Sequence, residues 1–335
     1  MNRYRLIGAG GSPYSMKMRA ILRYRRLPHD WILRTPEIRE QLVGKTKVEL
    51  VPVLHIPWED KYLIDSTPLA YDLEARHPGE RSIIPDDPAH AFFCALIEDM
   101  ADEWVTKQMF HLRWEREEDQ QFSSFWIIAD SGGDIDDDGF AERQQSILNR
   151  QVGRMALVGC TPENAPIIHA SYRRLLGMLE SHVRHGRYLF GSRPSLADFA
   201  LFGQLVTLSR DLTPSRIMKE YAPHTFFWVR NLDDSSGVEG EWADSTAGVP
   251  KIIHNLLSYA ADEYLPFLAA NVDSLANSKA EIRVEIGGKP YVQAPFAYQA
   301  KCLASLKKQL AELPAAVLAR VKPVLEESGC WYYLQ

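Results

Sequence analysis

Short apolar runs alternate with helical repeats over the first 80 residues of the chain. Residues 3–9 contain a short apolar run that ends in Gly8-Ala9-Gly10-Gly11, as expected for a buried strand followed by a turn. Ser12 and Pro13 come next, and they suit the N-cap and the first residue of a helix. The elements expected after this helix are a strand at 30–33, a helix at 36–43, strands at 51–56 and 62–64, and a helix that starts at Ser66. The predicted order is therefore β-α-β-α-β-β-α.

Helical repeats dominate the rest of the chain. They begin after the turn-forming segment 85–88, and strand signals return once, late in the sequence. There Glu281–Ile286 alternates apolar and charged residues, and Gly287-Gly288 supplies a hairpin turn into Tyr291–Gln293. Helices are expected at 89–115, 141–158, 164–184, 196–208, 221–232, 250–270, 297–312 and 315–327. The predicted parts are an α/β domain, an all-helical domain and a hairpin-containing extension packed on the helical domain, at residues 1–84, 88–239 and 240–335.

Composition and charge narrow the classes of function. The 335 residues carry 38 Lys and Arg against 44 Asp and Glu, a net charge of −6, which offers no overall attraction for nucleic acid or for an anionic membrane. No segment approaches the ~18 uncharged apolar residues of a membrane-spanning helix. The four cysteines form no CxxC pair, as expected for reduced thiols. We therefore expect a cytoplasmic protein without a nucleic-acid or membrane partner.

Four local segments carry the strongest functional signal. They are Ser12–Arg19, Val51–Leu54, Asp65-Ser66 and Gly191–Ala200. The last of them contains Ser195-x-x-Asp198, a helix-capping pattern. In this order and spacing the segments resemble the cytosolic glutathione transferases of the Ser type, over about residues 3–232. The resemblance implies a thioredoxin-like first domain, an all-helical second domain, glutathione as co-substrate and a homodimer, and it leaves an insert at about 115–160 unexplained.

Ser12 is the residue that the resemblance places against the glutathione sulfur. A hydroxyl at a helix N-terminus adds a donor and the positive end of the helix dipole beside a thiolate. Lowering a thiol pKa from about 8.5 to about 6.5 requires roughly 2.7 kcal/mol of thiolate stabilisation, at about 1.36 kcal/mol per pKa unit. One charge-assisted hydrogen bond and the helix end together are of that size. The alternative is that Ser12 only caps the helix.

The resemblance also implies where the rest of glutathione binds. Pro52 follows a cis peptide bond, so that Val51 pairs its backbone with the cysteinyl segment as an added strand does. Asp65 receives the α-ammonium of the γ-glutamyl end, and Ser66 helps to surround the α-carboxylate. Lys47 is the candidate for the glycine carboxylate. From the residues alone, the alternatives are a capped helix with a solvated Asp65, and a solvated Lys47.

Three residues after the linker are candidates for the electrophile pocket. The resemblance places this pocket beside the start of the long helix, which gives Met109, Phe110 and Trp114. Apolar walls favour a hydrophobic electrophile. We therefore expect a glutathione transferase, with conjugation, isomerisation, dehalogenation and ether cleavage left open. Thiol–disulfide exchange is disfavoured because Ser12 stands where the reductase-like branches carry a cysteine, and the alternative function is a non-catalytic binding protein of the same fold.

Two patterns resemble metal sites. Asp134–Gly139 matches the first half of a calcium loop, but Gln145 stands where the bidentate Glu belongs, so a solvated acidic loop is favoured. His182 and His185 have no obvious third ligand and suit a helix C-terminus better than zinc. We therefore expect no metal.

Overall fold

The computed structural model describes residues 2–46, 49–79, 81–131 and 137–335. Spatial contacts divide the chain into two compact units, each made of three stretches. Unit 1 comprises Met1–Ile83, Leu112–Gly153 and Phe199–Glu239, and unit 2 comprises Ile84–His111, Arg154–Asp198 and Gly240–Gln335. The division of the sequence into domains at 1–84, 88–239 and 240–335 stays a prediction.

A four-stranded sheet forms the centre of the N-terminal part of unit 1. Its strand order is β2-β1-β3-β4, with β1 parallel to β2 and antiparallel to β3, and with β3 antiparallel to β4. The strands are β1 (Tyr4–Gly8), β2 (His29–Leu33), β3 (Val53–Ile56) and β4 (Lys61–Ile64). The helices between and after them are α1 (Pro13–Tyr24), α2 (Pro36–Gln41) and α3 (Ser66–Arg76). The predicted β-α-β-α-β-β-α order, and with it the thioredoxin-like topology, is confirmed.

Helix α1 begins where its capping residues predict. Ser12 has extended backbone angles and caps the helix, and Pro13 occupies its first turn. Met16 and Ala20, four positions apart on one face, are fully buried. Full burial of a methionine side chain contributes about 1.5–3 kcal/mol. A Cβ at Gly203 would lie 2.6 Å from the carbonyl oxygen of Pro13, so a glycine is needed at that position.

The described residues of unit 1 include four further helices and parts of two others. The complete helices are α6 (Glu117–Ser131), α7 (Asp137–Val152), α10 (Leu212–Tyr221) and α11 (Pro223–Leu232), and the partial ones are residues 112–114 of α5 (Thr106–Trp114) and residues 199–208 of α9 (Leu196–Leu208). Helices α6 and α7 occupy much of the expected insert. The helix expected at 221–232 begins at Pro223, because proline suits the start of a helix and cannot continue the preceding one. Helices α6 and α10 were not predicted from the sequence.

Unit 2 is mainly helical. Its helices are α4 (Pro88–Met100), the part of α5 (Thr106–Trp114) up to residue 111, α8 (Ala165–Val183), α12 (Lys251–Tyr259), α13 (Leu265–Ala276), α14 (Ala297–Ala311), α15 (Ala315–Ser328) and α16 (Trp331–Leu334). π-Helical turns at Ala101–Val105 and Ala260–Tyr264 interrupt the continuous helices expected at 89–115 and 250–270. Across the described ranges, no helix combines the length and the apolar character needed to cross a membrane.

The predicted hairpin is present in unit 2. Strands β5 (Ile282–Ile286) and β6 (Lys289–Gln293) pair antiparallel, and β5 packs against α13. The turn residues Gly287 and Gly288 have φ of 58° and 73°, a conformation that favours glycine. Tyr291 is fully buried, with its ring centroid 5.4 Å from that of Trp104. The hairpin is therefore part of the core of unit 2.

Lys107 joins the hairpin to helix α5 inside unit 2. Its Nζ donates to the Val158 carbonyl at 3.1 Å and to Gln293 Oε1 at 2.6 Å, and it lies 4.5 Å from the Phe267 ring centroid. Burial lowers the pKa of this ammonium to about 8. Lys107 is therefore a buried cation with neutral acceptors, and it links elements that are far apart in sequence.

The predicted cap of α9 is confirmed. Asp198 Oδ2 accepts hydrogen bonds from the Ser195 backbone N–H at 2.8 Å and from its hydroxyl at 2.6 Å, while Oδ1 accepts from the Leu189 N–H at 3.0 Å. Burial raises the pKa of this carboxyl to about 6 against the effect of these donors. The cap therefore also fixes the segment that precedes α9.

Candidate functional site

Three strand ends meet at one edge of the sheet in unit 1. Ile7, near the end of β1, lies opposite Val53 at the start of β3, and Val53 lies opposite Ile64 at the end of β4. The residues just beyond these positions are therefore neighbours on that edge. They are the Gly8–Ser12 turn, Val51-Pro52 and Asp65-Ser66. The register thus gathers Ser12 and four of the predicted glutathione-binding residues on one edge.

Ser12 is partly exposed at the N-terminus of α1. Its Oγ accepts a hydrogen bond from the Ser15 backbone N–H at 3.3 Å, so Ser12 is a helix cap. A serine hydroxyl that accepts one hydrogen bond still carries a proton to donate. Capping the helix and donating to a thiolate are therefore compatible roles for this residue.

Two arginines hold the turn that precedes Ser12. Arg210 Nη1 donates to the Gly10 carbonyl at 3.1 Å, and Arg113 Nη1 donates to the Gly11 carbonyl at 2.9 Å. Burial lowers the pKa of the Arg210 guanidinium, which remains a cation because an arginine pKa starts above 12. Two positive charges therefore lie within hydrogen-bonding distance of the last two peptide carbonyls before Ser12.

The glycines of this turn admit helix α6 at close range. A Cβ on Gly10 would lie 1.9 Å from Asp130 Oδ2, and a Cβ on Gly11 would lie 2.9 Å from Ile127 Cγ1. Any larger residue at either position would force α6 or the turn to move. The side chains of α6 consequently form one wall beside the turn.

Asp211 connects Arg113 to helix α6. Its Oδ2 accepts from Arg113 Nε at 2.8 Å, and its Oδ1 accepts from Ser123 Oγ and Trp126 Nε1, both at 2.9 Å. The Arg113 and Asp211 side chains are 3% and 0% exposed. The Trp126 ring lies 5.3 Å from the Arg113 guanidinium and 5.6 Å from that of Arg210. Three charge-assisted hydrogen bonds on one buried carboxylate hold this arrangement rigidly.

Sequence reasoning missed Arg113, Arg210 and Asp211. All three lie outside the four motifs, in or beside helices whose partners are decided by tertiary packing. The available signal was the Gly10-Gly11 pair, since adjacent glycines in a turn indicate that other groups approach the backbone closely.

Asp65 has an uncommon backbone conformation between β4 and α3. Its φ of 76° and ψ of 114° are rare for a residue with a side chain, and such positions cost of order 1–3 kcal/mol. The Asp65 side chain is exposed, Ser66 is buried, and the Asp65 carbonyl accepts from the Leu69 N–H at 3.0 Å as α3 begins. An exposed carboxylate thus stands directly before a helix N-terminus. This combination suits a ligand that carries an ammonium and a carboxylate together.

A further cation lies on the same edge of the sheet. The Val51–Pro52 bond is cis, as the resemblance implies, whereas Lys47 lies outside the described residues. Arg34 follows β2 and donates its backbone N–H to the Gly8 carbonyl at 2.9 Å. Its guanidinium is 3.6 Å from the Glu49 carboxylate, and burial together with nearby Arg39 lowers its pKa. Sequence reasoning did not single out Arg34.

The candidates for the electrophile pocket fall in different units. Met109 and Phe110 belong to unit 2, and Trp114 belongs to unit 1. Met109 and Trp114 are buried and Phe110 is partly buried. Their assignment to a pocket stays a prediction. In unit 1, the apolar side chains beside the turn include Ile127 and Trp126 of α6, both partly exposed.

The structure describes one of the two sequence patterns that resemble metal sites and part of the other. His182 Nε2 lies 3.0 Å from the Tyr188 carbonyl, and burial lowers the pKa of this imidazole. Asp134–Gly139 falls partly outside the described residues. In unit 2, the His111 and His169 rings meet edge to face with centroids 5.4 Å apart. Because imidazoles are good ligands for several transition metals, the expectation of no metal stays a prediction.

Two family models match the chain. The N-terminal domain of glutathione S-transferases matches residues 6–81, and the C-terminal domain of glutathione S-transferases matches residues 144–230. No curated protein matches the chain.

Solved structures similar to the chain include three relatives of low identity. The beta-etherase LigF from Sphingobium sp. strain SYK-6 is 20% identical over 69% of this chain and 94% of its own, with a TM-score of 0.50. A glutathione S-transferase from Methylobacterium radiotolerans, in complex with glutathione sulfonate, is 22% identical over 70% of this chain and 91% of its own, with a TM-score of 0.42. One from Methylobacillus flagellatus, with glutathione bound, is 17% identical over 70% and 96%, with a TM-score of 0.41. At this identity, the likeness to LigF establishes the fold alone.

Proposed function

We propose that this chain, which belongs to the glutathione S-transferase superfamily, binds glutathione. We further propose that the bound thiol forms a thiolate beside Ser12 and that this thiolate attacks a hydrophobic electrophile. The observation that carries the proposal is the shared sheet edge. Ser12, Val51-Pro52 and Asp65-Ser66 come from three separate elements, and the strand register makes them neighbours. Each offers the chemical group that one part of glutathione needs.

The tripeptide is proposed to lie along this edge of the sheet. Asp65 pairs with the α-ammonium of the γ-glutamyl end, while the start of α3 at Ser66 receives the α-carboxylate. The backbone of Val51 pairs with the cysteinyl segment as an added strand does. Arg34 and Lys47 are the two candidate cations for the glycine carboxylate at the other end.

The chemical step is nucleophilic attack by a thiolate. The thiol gives its proton to solvent, and the sulfur anion is stabilised by the Ser12 hydroxyl and the N-terminus of α1. The sulfur lone pair then forms a carbon–sulfur bond, and the electrophile either releases a leaving group with its bonding electrons or moves a π pair onto an electronegative atom. Holding the two reactants together supplies the remaining acceleration. The apolar side chains of α6 beside the turn favour an apolar electrophile.

Calorimetric titration with glutathione tests the proposal. We expect saturable binding, and we expect Asp65→Ala to weaken it at least about tenfold, since it removes a charge-assisted pair. Asp60→Ala is the matched control, because Asp60 is also an exposed aspartate with positive φ, in the β3–β4 turn. Absence of binding at millimolar glutathione would overturn the proposed function.

A non-catalytic binding protein is the second candidate. The observation in its favour is that the family models end at residue 230. Residues 231–335 are additional to these models, and in this alternative they bind a partner. Turnover separates the two candidates. Glutathione binding together with consumption of chlorodinitrobenzene or of an aryl ether supports the enzyme, whereas binding without turnover across such a panel supports the alternative.

We also propose a homodimer in the cytoplasm. Two-fold symmetric dimers are the commonest oligomers, and all four cysteines are buried free thiols. Light scattering should give about twice the chain mass of 38.1 kDa. A mass near that of one chain at micromolar concentration would refute the dimer.

A further inference from the structure

We infer that Arg113 is a positioning residue for Ser12, an inference that rests on the proposed function. Arg113 lies 102 positions from Gly11 along the chain, yet its guanidinium donates to the Gly11 carbonyl at 2.9 Å. Gly11 immediately precedes Ser12. The contact therefore acts at the one peptide group that joins the turn to the nucleophile-activating residue.

Peptide planarity makes this contact consequential. The carbonyl of Gly11 and the N–H of Ser12 belong to the same rigid plane, so fixing the oxygen also fixes the direction in which the Ser12 backbone leaves the turn. The turn itself is weakly restrained, because Gly10 and Gly11 have wide conformational freedom. Its internal hydrogen bond, from the Ser12 N–H to the Ala9 carbonyl, is 3.0 Å long and leaves the Gly10 and Gly11 carbonyls to be held from outside.

Arg113 is well suited to hold this plane because it is itself immobilised. Its Nε is bound to Asp211, whose second oxygen accepts from Ser123 and Trp126 at 2.9 Å. The side chain is almost fully buried, whereas Arg210, which holds the neighbouring Gly10 carbonyl, is partly exposed. The rigid guanidinium fork allows one bond to the carboxylate and one to the turn at the same time. A lysine has the charge but lacks this fork.

The positive charge of Arg113 adds an electrostatic effect in the same direction. A buried cation near the start of α1 favours an anion at the position where the sulfur would lie. Its interaction with Asp211 offsets part of that field, so the geometric effect on Ser12 is expected to exceed the direct effect on the thiolate. This order of importance is testable, because the two effects respond differently when Ser12 is absent.

A matched arginine exists elsewhere in unit 1. Arg25 Nη1 pairs with Glu74 Oε1 at 2.7 Å, the two side chains are 3% and 14% exposed, and Arg25 also donates to the His77 backbone carbonyl. Arg25 follows the C-terminal end of α1, whereas Ser12 precedes its N-terminal end. Arg25 and Arg113 therefore make the same kind of contacts, one near each end of α1.

The experiment compares Arg113→Met with Arg25→Met. The pKa of the enzyme-bound glutathione thiol is measured from the ultraviolet absorbance of the thiolate as a function of pH, and kcat/KM is measured below that pKa. We expect Arg113→Met to raise the thiol pKa by about one unit, which is a tenfold loss of thiolate, and to lower kcat/KM about tenfold. The Kd of glutathione, measured at a pH where the bound thiol is protonated, should change less than about threefold. Arg25→Met should lower the melting temperature and leave the thiol pKa unchanged.

A double-mutant cycle with Ser12→Ala separates positioning from direct electrostatics. If Arg113 acts through Ser12, Arg113→Met should change the thiol pKa by less than about 0.3 unit in the Ser12→Ala background. Additive effects in that background, or an unchanged thiol pKa in Arg113→Met, would overturn the inference. Arg113→Lys replaces the methionine variant if the latter does not fold, and it should still raise the thiol pKa because it keeps the charge but loses the fork. If the parent protein binds no glutathione, the proposed function itself fails, and this outcome is distinct from a parent that forms the thiolate without needing Arg113.

Discussion

Each compact unit contains a buried cation, and the two cations have different surroundings. Arg113 in unit 1 is neutralised by Asp211 and reaches a turn that ends in a partly exposed hydroxyl. Lys107 in unit 2 has neutral acceptors such as Gln293 and lies over the Phe267 ring, and burial lowers its pKa to about 8. The comparison indicates two uses of a buried cation. In unit 1 an ion pair holds a backbone turn in one geometry, and in unit 2 an ammonium with neutral acceptors joins elements of the core.

The largest loss of stability is expected for a substitution in the hairpin of unit 2. Tyr291→Ala removes a fully buried ring that packs against Trp104 and Phe267, and such truncations cost about 3–5 kcal/mol. Denaturant unfolding should show this loss, while glutathione binding by the folded protein should be unchanged because the proposed site lies in unit 1. Tyr332→Ala, at a position 75% exposed, is the control. Lost binding with intact stability would contradict the separation of roles.

A smaller effect is expected at the cap of α9. Ser195→Ala removes the hydroxyl that donates to Asp198 at 2.6 Å and should lower the free energy of unfolding by about 1–2 kcal/mol. Ser305→Ala, at an exposed position of α14, should change it by less than about 0.5 kcal/mol. Equal stability of the two variants would show that the cap contributes little.

A pH-dependent effect on stability is expected from two acids of unit 2. Burial raises the pKa of Asp99 to about 7 and that of Glu103 to about 8. In the folded protein these groups keep protons that the unfolded chain releases near pH 4, so their contribution to stability is complete below pH 4 and is lost as the pH rises towards 8. The denaturant concentration at the unfolding midpoint should therefore decrease as the pH is raised from 5 to 8.

Replacement of both acids provides the control for the pH trend. The variant Asp99→Asn with Glu103→Gln keeps similar shapes and removes both titrations, so its midpoint should vary less over the same range. Lys107 acts in the opposite direction above pH 8, because deprotonation there relieves the cost of burying its charge. An identical pH dependence in parent and variant would show that these acids do not control it.

Local chemistry made most of the N-terminal fold predictable. Glycines end β1, and Ser12 and Pro13 start α1, so these elements are specified by residues in or next to them. The same holds for the β5–β6 hairpin of unit 2, which turns on Gly287 and Gly288. Helices α6 and α10 escaped prediction because one of their capping contacts comes from distant sequence. Asp119 of α6, for example, accepts from the Thr213 N–H near the start of α10 at 2.8 Å.

The same distinction between local signals and contacts from distant sequence applies to the candidate site. Ser12, Val51-Pro52 and Asp65-Ser66 carry recognisable local patterns and could be proposed from the sequence. Arg113 and Asp211 have no local pattern, since the value of each depends on a partner far away in the chain. Residues proposed to touch a ligand were thus easier to predict than residues proposed to hold them in place.

Ser12→Ala is the decisive variant for the proposed thiolate activation, and its readout is the pKa of the bound glutathione thiol. We expect the parent to bind glutathione with a thiol pKa of about 6.5 and Ser12→Ala to raise this pKa towards about 8.5, a loss of up to about 2.7 kcal/mol of thiolate stabilisation. Glutathione affinity at a pH where the thiol is protonated should change little, because Ser12 does not bind the ends of the tripeptide. An identical thiol pKa in the two proteins would contradict the assignment of Ser12.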